Sequence, residues 1–182
     1  SEDFTKKTLM KMTDNYKMAN VTVKPDVIDA MFRQVQTNDT KPYKKHVIPG
    51  KISATQYDLG TNGYAYSDKD FVNYKVATGT FDQWNKGNTM RNDGVDILPC
   101  KDSGSNGYQV SFIEDGEWLQ FTSEIRKQND YKIAIRYSSE SSEGKLHLET
   151  EGGNKSETIT LPATGDNSKW KTIILSDVKL TV

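Results

Sequence analysis

The sequence predicts an antiparallel β-sandwich preceded by a short helical segment. Three observations carry that expectation. From Ile52 onward, apolar residues recur with a period of two. Clusters of glycine, asparagine, aspartate and serine interrupt that run at short intervals, as turns between strands do. Before residue 46 the apolar period is helical instead.

Each element follows from its own stretch of chain. Phe4, Leu9, Met10, Met12 and Tyr16 form a rough helical stripe, and Val27, Ile28, Met31, Phe32 and Val35 form a clearer one. Pro25 followed by Asp26 suits a helix start, where a missing amide hydrogen costs nothing. Two such helices do not make a core alone, and pack either on a further domain or on the one that follows. Residues 40–51 read as a basic linker, broken by Pro42, Pro49 and Gly50. In 131–137, Tyr131, Ile133, Ile135 and Tyr137 share one face, and Leu146 and Leu148 do so in 145–149. Further strands are expected over 108–113, 117–123, 156–161, 170–175 and 178–182. Turns fall at 102–107, 114–116, 152–154 and 164–168.

Composition narrows the function. The chain has 182 residues, with 24 basic against 25 acidic side chains. That balance excludes a dedicated basic face for nucleic acid or anionic membrane. Mean hydropathy is -0.75 with 34% apolar residues, so no membrane insertion is expected. Aromatics still reach 10%, more than a disordered chain carries. One cysteine, Cys100, and two histidines, His46 and His147, leave no disulfide framework and no multi-cysteine zinc site. No phosphate loop, nucleophile elbow or HExxH motif is present, so no catalytic residue is assigned. Glu114, Asp115 and Glu117 are close in sequence, but Asp115-Gly116 marks a turn rather than a glycosidase pair.

What is present is a series of short motifs in order: Gly94-Val95-Asp96-Ile97, Asp115-Gly116-Glu117-Trp118-Leu119 and Leu161-Pro162-Ala163-Thr164-Gly165. With the aromatics between them, residues 46–182 resemble a family 6 carbohydrate-binding module, a galactose-binding-like β-sandwich. The resemblance implies a jelly roll over 46–182 that binds polysaccharide without catalysis and targets an attached glycoside hydrolase. It implies that residues 1–45 are the end of an upstream catalytic domain plus linker. The whole is then secreted or cell-surface, and the chain continues past Val182 into a closing strand. The rival expectation is a structural or interaction β-sandwich that packs on the catalytic domain and has lost sugar binding. A catalytic role for the chain itself ranks last.

The residues suit sugar. A pyranose offers an apolar C–H face to a flat ring and a rim of hydroxyls to amides and carboxylates. By the resemblance, Phe112 takes the position of a stacking aromatic. Trp84, between Gln83 and Asn85 in a Gly-bounded loop, is either a second platform or a core anchor, with Gln83, Asn92 and Asp93 binding hydroxyls. Tyr66 shares a face with Tyr64, one of the two being core. Trp118 either lines a second cleft, with Gln120 beside it, or sits in the core. Three features depart from the family pattern: Leu98 replaces an acidic residue, the 166–168 loop lacks a tryptophan, and a final asparagine would lie beyond Val182. No cofactor is required. A structural calcium is the possible ion, yet Ser53 and Thr55 stand where the family has glutamates. Asp68, Asp70 and Asn73 form the alternative oxygen-rich cluster, with a plain polar turn as the competing expectation.

Overall fold

The computed structural model describes residues 2–69, 86–87, 89–91 and 93–181. The chain divides into two compact units, Ser1–Thr37 and Asn38–Val182.

The first unit holds α1 (Glu2–Asn15), a 3-10 turn at Met18–Asn20, and α2 (Pro25–Phe32). Pro25 opens α2 as expected. The apolar stripes do not close on each other. Phe4, Leu9, Met10 and Met12 of α1 are exposed, and so are Ile28, Met31 and Phe32 of α2. In α2 the buried side chains are Asp26 and Asp29. Asp29 accepts two bonds from Arg33, each 2.7 Å, and one of 2.9 Å from Gln34. A carboxyl shielded from water needs such donors, and the next helical turn supplies them.

The second unit is built of strands. β1 (His46–Ile48) pairs with β6 (Ser123–Ile125), and β2 (Tyr66–Ser67) with β5 (Trp118–Leu119). β3 (Ile97–Pro99) pairs with β4 (Tyr108–Val110), and β8 (Lys145–Leu146) with β9 (Ile159–Thr160). The longest pair joins β7 (Asn129–Tyr137) to β10 (Lys171–Leu180). Among the described residues, the β1–β6 pair is parallel and the others are antiparallel. The architecture is mainly β with two short helices, consistent with the β-sandwich type.

Two expectations about the chain change. The stretch read as a linker is partly structured: His46–Ile48 form β1, and Lys41 bridges Leu59. The two strands expected over 170–175 and 178–182 are the single β10. Its register shifts between Leu175 and Val178, where Asp177 has φ of 58°. Strict alternation would put residues three apart on opposite faces; the irregularity lets both Leu175 and Val178 be buried. The alternation predicted for β7 is observed, with Tyr131, Ile133, Ile135 and Tyr137 on the less exposed face.

The core comprises Tyr57, Ala65, Tyr66, Val95 and Ile97, with Met90, Tyr108, Val110, Leu119 and Phe121 packed around it. Its centre is polar. The guanidinium of Arg91 lies over the Tyr57 ring, 3.5 Å from its centroid, and 4.9 Å from that of Tyr43. It donates to the carbonyl of Tyr57, to that of Asp58 at 3.1 Å, and to Asp93 Oδ2 from Nε at 3.0 Å and Nη2 at 2.6 Å. Asp58, fully buried, accepts from the Thr122 amide at 2.9 and 3.0 Å, from the Thr122 hydroxyl at 2.5 Å and from Gln120 at 3.1 Å. These bonds tie segments 57–58, 91–93 and 120–122 together.

Arg91→Met is expected to lower unfolding free energy by about 3–5 kcal/mol, because it removes the guanidinium donors to Asp93 Oδ2 and to two carbonyls. Denaturant unfolding measures this, and a loss under about 1 kcal/mol would contradict the role given to the guanidinium.

Candidate functional site

The expected site residues separate into three groups. Phe112 and Trp118 are exposed. Asp93, Gln120 and Tyr66 belong to the scaffold. Trp84, Gln83 and Asn92 lie outside the described residues, as do Asp70 and Asn73.

Phe112 follows β4 in a loop. It is 54% exposed, and its neighbour Ile113 is 69% exposed. The loop is held at both ends. Before Phe112, the Ser111 amide donates to the Asp96 carbonyl at 2.9 Å, and Gln109 Nε2 to Ser111 Oγ at 2.9 Å. After it, the Glu114 amide donates to Glu117 Oε2 at 2.9 Å. The other oxygen of Glu117 accepts from the Lys69 amide at 3.0 Å. The 114–117 segment is therefore a turn, as expected, and the Glu117 carboxyl braces it by accepting two backbone amides. Gly116, with φ of 87°, supplies the left-handed residue this turn requires.

Phe112 itself has φ of 54°, unusual for a side chain with a Cβ. Lys86 Nζ stands 5.0 Å from its ring centroid. The buried Asp96 carboxyl in turn accepts from the Lys86 amide at 2.7 Å and pairs with Nζ at 3.2 Å. Gly87 lies so close to the Ile97 carbonyl that a Cβ there would overlap it. Segment 86–87 is thus pressed against β3.

Trp118 is 42% exposed and pairs across β2–β5 with Ser67, whereas Tyr66 and Leu119 pair with their side chains in the core cluster. Trp118 therefore belongs to the outer face of this ribbon, not to the core.

The scaffold group corrects the sequence reading. Tyr66 is buried, its hydroxyl accepting from the Gly94 amide at 3.1 Å and its ring edge-on to Tyr57 at 5.4 Å. It has no open face for a sugar, and Tyr64 is the exposed member of that pair. Asp93 takes the Tyr57 hydroxyl on Oδ1 and Arg91 on Oδ2, so its carboxyl is turned inward. Gln120 Nε2 donates to Thr40 at 2.8 Å and to Asp58 at 3.1 Å, which uses both of its amide hydrogens. Residues the sequence reading missed are Tyr57, Lys86, Arg91 and Asp96. An Asp between Val95 and Ile97 was a usable signal, since a carboxyl inside a buried run must hold a donor.

The place of the expected calcium glutamates does not fit the ion. Ser53 Oγ and Thr55 Oγ1 bond to each other at 3.1 Å, and Asn106 donates to Thr55 at 3.1 Å. Of the alternative cluster only Asp68 is described; it is buried, and its amide donates to Asn62 at 2.9 Å. Among the described residues, no group of three or more His, Cys, Asp or Glu could hold a metal ion. No described helix is long and apolar enough to cross a membrane.

Burial, with the Asp93 carboxyl beside them, pushes the phenols of Tyr57 and Tyr66 well above their ordinary value. The folded chain then keeps these protons more tightly than the unfolded chain. Stability is unaffected below about pH 10, where unfolded phenols begin to ionise, and falls as pH rises toward the raised folded values. Melting temperature is expected to fall steeply above about pH 10, and less steeply in Tyr66→Phe. A curve for the variant that parallels wild type would contradict this. Chelation with EDTA is expected to leave the melting temperature unchanged, and a fall of several degrees would show a bound structural ion.

Residues 91–182, just over half of the chain, match the family described as Carbohydrate binding module (family 35). The motifs were right about the class of module, but the matched family is 35 and not 6. The three motifs that carried the resemblance brace turns and fill the core, so they mark the sandwich rather than one family's ligand contacts. No curated protein matches the chain.

Proposed function

Since the chain belongs to carbohydrate-binding module family 35, a non-catalytic class whose function is carbohydrate binding, we propose that its β-unit binds polysaccharide through an aromatic platform at Phe112. One observation carries the choice of platform: an exposed ring in a left-handed backbone conformation, braced on both sides, within the matched residues. A strained aromatic that stays half exposed, outside the core cluster, is a functional candidate. Stacking on a pyranose needs a flat apolar ring held in place, so that little entropy is lost when the sugar arrives. Trp84, Gln83 and Asn92 remain candidates to extend the platform.

The proposal extends to the protein around the module. It would be attached to a glycoside hydrolase upstream, in a secreted or cell-surface protein, and would raise the local concentration of enzyme on its glycan by tethering. Helices α1 and α2 would then be the end of that catalytic domain.

A second reading has its own support. Asp93, Tyr66 and Gln120 are committed to the scaffold, which leaves fewer polar groups for sugar hydroxyls. On that reading the sandwich packs on its catalytic domain and has lost sugar binding.

Affinity electrophoresis through gels holding a panel of soluble polysaccharides separates the two. Retardation by one glycan class is expected, with Phe112→Ala weakening it about tenfold, the upper range for one aromatic contact. The melting temperature should stay constant, since Phe112 lies outside the core. Loss on Trp118→Ala alone would move the site to the outer face of β2–β5. A folded sample retarded by no glycan would decide for the structural reading.

A further inference from the structure

We propose that Lys86 is a positioning residue for the Phe112 platform and that buried Asp96 sets it there; this rests on the sugar-binding reading. Asp96 lies in a run of buried residues, Val95 to Ile97, and is itself 2% exposed. Its three acceptor atoms all serve the platform. The carbonyl takes the Ser111 amide at 2.9 Å, fixing the residue before Phe112. Oδ1 takes the Lys86 amide at 2.7 Å, and Oδ2 pairs with Nζ at 3.2 Å. One residue therefore holds both segments beside the ring, the 111 side through its backbone carbonyl and the Lys86 side through its carboxyl.

The ammonium closes the arrangement. At 5.0 Å from the Phe112 centroid it is within cation–π range, and it is anchored by its pairing with Asp96. A phenylalanine exposed in a loop would ordinarily sample several orientations. A cation fixed near one side of the ring favours the orientation seen, and leaves the ring's remaining surface for a ligand. Gly87 contributes by allowing the close approach to the Ile97 carbonyl that seats Lys86 beside the loop.

The test compares Lys86→Met, which keeps the apolar stem and removes the charge, with Lys86→Arg, which keeps the cation. Each is made in wild type and in Phe112→Ala. Lys86→Met is expected to weaken binding of the retarding glycan about threefold, the scale of one exposed cation–π contact. Lys86→Arg should bind as wild type, and Lys86→Met should add nothing in the Phe112→Ala background. The Phe112 ring resonances should move in Lys86→Met and hold in Lys86→Arg. The same loss in both backgrounds, or unmoved resonances, overturns the proposal. If the wild type binds no glycan, the functional reading fails, while the resonances still decide whether Lys86 orients the ring.

Discussion

Arg91 brings a guanidinium into the centre of the β-unit, and the groups around it are arranged to receive it. The Tyr57 ring lies against its face, Asp93 meets two of its nitrogens, and two consecutive carbonyls take its remaining reach. A charge moved out of water is costly unless every donor finds an acceptor. That requirement aligns segments far apart in the chain. Tyr57 and Asp58 must stand beside 91–93, and Asp58 in turn fastens to Thr122 and Gln120. The apolar core could tolerate small slips; this network cannot, because a slip would strand buried polar groups.

The candidate site inherits that rigidity through a few residues of sequence. Asp93 serves Arg91, the Gly94 amide meets Tyr66, Val95 and Ile97 fill the core, and Asp96 braces the Phe112 loop. One short stretch thus joins the buried centre to the exposed ring. The other motifs behave alike. Glu117 caps two backbone amides, and Thr164 exchanges bonds with Ser139, while the Tyr137 hydroxyl donates to the Pro162 carbonyl at 3.0 Å. Such residues are specific to the scaffold, and many ligands can be served from one scaffold.

A sandwich of this kind suits sugar recognition for a physical reason. Free carbohydrate is well hydrated, so a binder gains little from charge and much from flat apolar surface that is already in place. A balanced charge of 24 against 25, with aromatic residues outside the core, is the composition such a surface needs. The exposed apolar faces of α1 and α2 belong to the other unit and serve a different purpose in the proposal, as part of an attached domain.

The sequence by itself determined the class of fold, the two helices and most strands, because side-chain periodicity and turn chemistry are local. Pro25 marked a helix start, and alternation in 131–137 marked β7, through interactions within a few residues. It also determined the kind of module, because the turn and core motifs are contiguous. Only the tertiary structure decided which polar and aromatic residues face outward. Tyr66 and Asp93 carry the same chemistry as ligand-binding residues, but Gly94, Tyr57 and Arg91 claim them first. Lys86 is an unremarkable lysine until Asp96 places it on Phe112. Apart from Arg91, two residues from Asp93, these partners lie ten or more residues away, so no local pattern records them, and burial is settled only when the segments meet.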